Sequence, residues 1–113
     1  MLTSPRRRSA TSQPRLRMNE LNSSPTQLRV IYRGHVQGVG FRYRTNAIAQ
    51  RYPVTGFVMN RADGSVELVV AGAKGVVNRF LSEIDASMSD NISDKQVAPL
   101  EGLAEWPNFS IRR

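Results

Sequence analysis

The sequence predicts one α+β domain in which two helices cover one face of an antiparallel sheet, and three observations carry that prediction. The chain has 113 residues, room for a single core. After residue 27 its apolar residues recur with period two in some stretches and at helical spacing in others. Those stretches follow one another as strand, helix, strand, strand, helix, strand.

Each element has its own signal. Leu28, Val30 and Tyr32 alternate with Arg29, Ile31 and Arg33, a strand pattern. Residues 34–40 form a loop with three glycines. Phe41, Thr45, Ile48, Ala49 and Tyr52 then fall at helical spacing, with Arg42, Arg44, Asn46, Gln50 and Arg51 between them. Pro53 stops this helix, because its ring clashes with a further turn. Residues 54–60 read as a strand, Ala62-Asp63-Gly64 as a tight turn and 65–71 as the return strand, Gly64 supplying the positive φ such a hairpin needs. Val76, Val77, Phe80, Leu81 and Ile84 mark a second apolar helical stripe. Residues 97–100 read as a weak strand that Pro99 confines to an edge, and 108–112, with Phe109 and Ile111 on one face, close the chain. A β-α-β-β-α-β order with one short extra strand is that of the ferredoxin-like sandwich.

Composition narrows the chemistry. No cysteine is present, which excludes disulfides, a thiolate nucleophile and cysteine-based zinc sites, and the lone His35 cannot build a histidine-rich metal site. No metal or cofactor is expected. No apolar run approaches the roughly 20 residues that span a bilayer, so a soluble, cytoplasmic protein is expected. The net charge of +7 has a local origin. Arg6, Arg7, Arg8, Arg15 and Arg17 lie in an acid-free segment, and the rest of the chain is nearly balanced. Residues 1–26 are polar, basic and rich in Ser and Pro, and read as a disordered tail ahead of a domain over 27–113. An inert extension, a start at Met18, an anionic or nucleic-acid contact and a targeting segment stay open for that tail.

The loop after the first strand is the place for chemistry. Gly34-His35-Val36-Gln37-Gly38-Val39-Gly40-Phe41-Arg42 runs into the first helix. Glycines there let successive N–H groups point into one concavity, and the helix start adds partial positive charge, so the loop suits a phosphate. It lacks the Gly-Lys-Ser/Thr ending of a P-loop and the glycine spacing of a dinucleotide fingerprint. The planar fork of Arg42 matches two phosphate oxygens. A tight connection carrying a solvated arginine is the alternative that spacing alone leaves open.

The run Val36-Gln37-Gly38-Val39-Gly40-Phe41-Arg42 resembles the signature of the acylphosphatases, and Gly56-Phe57-Val58-Met59-Asn60-Arg61-Ala62-Asp63-Gly64-Ser65-Val66-Glu67 resembles their second one. The closing Phe109-Ser110-Ile111-Arg112 is similar to the family's last strand. The resemblance implies hydrolysis of an acyl phosphate to a carboxylate and inorganic phosphate, without cofactor. It implies that Arg42, with the loop His35, Val36, Gln37, Gly38, Val39, Gly40 and Phe41, binds the phosphoryl group, and that Asn60 positions the attacking water. Without it, Asn60 is an ordinary asparagine before a turn and His35 a solvated loop residue. Three departures from the family pattern stand out: Phe57 stands where tryptophan is frequent, Met59 where a basic residue is common, and Tyr52-Pro53 where a glycine is more usual. Trp106 reads as a core or rim packing residue.

Two rival readings differ in class. An RNA-binding module shares the element order, but residues 65–71 lack the aromatics that stack bases. An acylphosphatase-like module handling carbamoyl phosphate within a larger protein is the other. The expected partner is a small acyl phosphate, the enzyme a monomer, with neither membrane nor nucleic acid engaged.

Overall fold

Alternating apolar side chains set the sheet, and the helices close over one of its faces. The computed structural model describes residues 23–102 and 105–113. In chain order the elements are β1 (Pro25–Gly34), α1 (Phe41–Ala49), β2 (Thr55–Asn60), β3 (Val66–Ala73), α2 (Lys74–Ser87), β4 (Ile92–Pro99) and β5 (Phe109–Arg112). One five-stranded sheet has the order β4-β1-β3-β2-β5. Val30 and Tyr32 from β1, Val58 from β2, and Leu68 and Val70 from β3 enter the core with Phe41 and Ile48 of α1 and Val77, Phe80, Leu81 and Ile84 of α2. A side chain of this kind contributes roughly 1.5–3 kcal/mol when fully buried. The helical stripes read from spacing are the buried ones, with Tyr52 and Val76 at the margin. The other sheet face buries Ile31, Phe57 and Val69, and Trp106 meets the Phe57 ring edge-on at 6.1 Å.

Three features differ from the sequence expectation. The sheet is mixed: β5 runs parallel to β2, with Gly56 opposite Phe109 and Val58 opposite Ile111. The other three pairings are antiparallel. β4 and β5 occupy opposite edges and run in opposite senses, so the return after β4 lands β5 beside β2 in the same direction. β4 begins at Ile92, well before 97, because its pairing with β1 is made by backbone groups under exposed polar side chains. β1 begins at Pro25, and Pro25 and Thr26 face Ala73 and Gly72 inside the expected tail. The remainder of that tail, residues 1–22, lies outside the described residues.

The β2–β3 turn is a three-residue loop. Arg61 N–H donates to Ser65 O at 2.8 Å and Gly64 N–H to Arg61 O at 3.2 Å, with Gly64 at φ 93°. Asp63 Oδ1 accepts from the Ser65 N–H and hydroxyl. These bonds, the hydroxyl first, hold the Asp63 carboxyl down at about 2, from 3.8. A depressed folded-state value means that the unfolded chain binds the proton more readily. The contribution is full above pH 3.8 and is lost as pH falls through about 2. Melting temperature against pH for wild type and Asp63→Asn is expected to diverge above pH 4 and converge toward pH 2. Parallel curves across that window overturn the expectation.

Candidate active site

The loop joining β1 to α1 is bent by its glycines. Gly38 and Gly40 have φ of 78° and 80°, a region that other residues adopt at a cost. Gly40 is also the N-cap of α1, and it brings no side-chain cap. No acidic residue occupies the first helical turn, and the first helical bond runs from Arg44 N–H to Gly40 O. The N–H groups of Phe41, Arg42 and Tyr43 therefore have no intrahelical acceptor, at the end of the helix that carries partial positive charge.

Two anchors fix the loop. The Gln37 amide donates to both Arg61 O and Ser65 O at 2.8 Å, tying the loop to the β2–β3 turn. On the other side His35 N–H donates to Asn91 O at 2.9 Å, and the Asn91 amide returns a bond to His35 O at 3.1 Å.

A cavity of about 200 Å³ opens above the loop. Val36, Gly38, Gly40, Phe41 and Arg42 line it, and so does Asn60 from the end of β2. Arg42 is half-buried and its Nη1 donates to Arg112 O at 3.2 Å, so β5 steadies the guanidinium. Asn60 Oδ1 is buried and has no hydrogen-bond partner among the described residues. The cavity therefore joins unpaired helix-end donors, a guanidinium and the Asn60 side chain. Such a set receives an anion together with a proton-bearing molecule beside it.

The sequence-derived residues divide. Val36, Gly38, Gly40, Phe41, Arg42 and Asn60 share the cavity, whereas His35, Gln37 and Val39 do not line it. Gln37 is committed to the neighbouring turn and His35 is exposed. Tyr43, Ile111 and Arg113 also line the cavity and were missed. An exposed aromatic directly after Arg42 was the available signal for Tyr43. Nothing local marks the last two, which arrive through the parallel β2–β5 pairing. The described residues contain no group of three or more His, Cys, Asp or Glu side chains able to hold a metal ion. No helix among them is long and apolar enough to cross a membrane.

Comparisons with known proteins identify the family and the fold. The acylphosphatase family profile matches residues 28–111. An acylphosphatase of Thermotoga maritima is 40% identical over 89 residues, spanning 75% of this chain and 94% of that protein. The crystal structure of acylphosphatase from Bacillus subtilis superposes with a TM-score of 0.69 at 30% identity, covering 80% of this chain and all of that one. Full-length HypF, in a phosphate- and nucleotide-bound form, gives a TM-score of 0.69 at 28% identity over 80% of this chain and 12% of its own. A family match across nearly the whole described domain, on a fold that gathers both signature motifs at one cavity, makes this chain a member of the acylphosphatase family, a hydrolase of acyl phosphates.

Proposed function

We propose that the loop amides and Arg42 hold the phosphoryl group of an acyl phosphate while Asn60 orients the water that attacks it. The observation that carries this reading is that Arg42, Gly38, Gly40 and Asn60 line one cavity at an uncapped helix start. Water oxygen bonds to phosphorus as the bond between phosphorus and the acyl oxygen breaks. The electron pair leaves on the carboxylate, and the proton of water passes to a phosphate oxygen, giving inorganic phosphate. A carboxylate is a good leaving group, so the protein supplies position and positive charge and no strong acid. The Asn60 amide takes up no proton; it hydrogen-bonds the water and aims it. Arg42 and the helix end supply the charge neutralisation for which other phosphoryl-transfer sites use a cation. The reading includes a cytoplasmic monomer, which cell fractionation and size-exclusion chromatography check.

The test is hydrolysis of benzoyl phosphate with and without excess EDTA. Turnover is expected to be unchanged by the chelator. Activity that vanishes with EDTA and returns with Mg²⁺ overturns the metal-free reading. A non-catalytic module of this family instead binds inorganic phosphate and leaves benzoyl phosphate intact.

A further inference from the structure

A second depression, of about 460 Å³, adjoins the cavity and shares Gly40 and Tyr43 with it. It runs between α1 and α2, and Val39, Arg44, Arg51, Glu83 and Ser87 are among its lining. Tyr43 stands at the junction and is 77% exposed, and Val39 beside it is 37% exposed. Two large apolar side chains thus face solvent next to a phosphate-sized cavity. The charges of the groove are unequal. Arg51 is paired with Glu83, whose other oxygen accepts from the Tyr52 hydroxyl at 2.7 Å. Arg44 is in none of the ion pairs among the described residues, and its Nη1 donates only to the Ser87 hydroxyl, at 3.2 Å. The groove accordingly offers an aromatic edge near the cavity and a guanidinium with unspent donors further along.

We propose that this groove is the acyl subsite, and that it selects acyl phosphates with a flat or extended apolar body ending in an anionic group. The inference rests on the phosphate placement above. With phosphorus held over the loop, the scissile bond leads out past Gly40 and Tyr43, and the acyl body lies against the Tyr43 ring. The distal anion meets Arg44, where a carboxylate accepts two parallel N–H bonds. Tyr43 and Arg44 act on specificity, and neither takes part in breaking the bond.

The test measures kcat/KM for acetyl phosphate, benzoyl phosphate and 4-carboxybenzoyl phosphate in wild type, Tyr43→Ala, Tyr43→Phe, Arg44→Gln and Arg42→Ala, with the inhibition constant of inorganic phosphate for each. Tyr43→Ala is expected to lower the benzoyl-to-acetyl ratio about 3–10-fold, the range of an aromatic contact, and Tyr43→Phe to restore it. Arg44→Gln is expected to lower the carboxybenzoyl-to-benzoyl ratio roughly fivefold, the range of an exposed charge pair. Phosphate inhibition of these three variants should stay within about twofold of wild type, because phosphate has no acyl part. Unchanged ratios in both Tyr43→Ala and Arg44→Gln, while Arg42→Ala loses phosphate binding, overturn the subsite alone. Phosphate binding retained in folded Arg42→Ala overturns the phosphate placement and the subsite with it.

Discussion

Asn60→Ala is expected to lower the turnover number on the order of 10²–10³-fold while inorganic phosphate still binds nearly normally, and Arg42→Ala to damage rate and phosphate binding together. The first magnitude is that of removing one positioned hydrogen-bonding group from a developing reaction. Asn60 lines the cavity and its Oδ1 has no hydrogen-bond partner among the described residues, so the substitution breaks no side-chain bond to Oδ1 seen there. Arg42 differs because, on the proposed mechanism, its guanidinium contacts phosphate in substrate, transition state and product alike. Its removal is expected to raise the phosphate inhibition constant roughly 10–100-fold, the range of one hydrogen bond to a charged group. Circular dichroism establishes first that both variants fold, since Asn60 also pairs with Val66 beside the turn. If Asn60→Ala loses phosphate binding as badly as Arg42→Ala, the division of labour is wrong.

Gly56→Ala is expected to be the most destabilising single methyl addition in the sheet. Gly56 has φ of 133°, and an added Cβ would stand 1.9 Å from Val69 O and 2.8 Å from its carbonyl carbon. Both are backbone atoms of the paired strand, so no side chain can swing aside. Relief requires β2 to move off β3, yet Gly56 N–H is also bonded to Asn108 O at 3.0 Å, just before β5. Overpacking and backbone strain together amount to about 3–5 kcal/mol, a large share of the roughly 5–15 kcal/mol that holds a domain folded. The expected result is a melting temperature lower by some 20 °C, or no folded protein. A variant that melts within about 3 °C of wild type shows that the strands separate more easily than this geometry allows.

The fold and site were unequally legible. The helices and central strands are legible because each buries one face, and burial imposes a period on the sequence, although α1 ends at Ala49, before the expected stop at Pro53. The first half of β4 escaped because an edge strand with exposed Ser93, Asp94, Gln96 and Ala98 has backbone pairing but no apolar alternation. The direction of β5 escaped for another reason: Phe109 and Ile111 specify a buried face, and a face carries no sign of parallel or antiparallel entry. At the site, Arg42 and Asn60 sit inside recognisable motifs. Gln37 sits in the same motif, but its two donors serve the Arg61 and Ser65 carbonyls, a pairing 24 and 28 residues away that spacing does not encode.

The bond from Arg42 to the Arg112 carbonyl links the site to the shortest strand of the sheet. β5 has four residues and one neighbour, β2, so its opening requires far less than global unfolding. Each time it frays, the guanidinium loses the contact that aims it, while the loop itself stays anchored to the β2–β3 turn. On the proposed role of Arg42, catalytic competence is expected to follow this local equilibrium at the sheet margin, and exchange of the β5 amides bonded to β2 becomes a clock for how long the arginine keeps its aim.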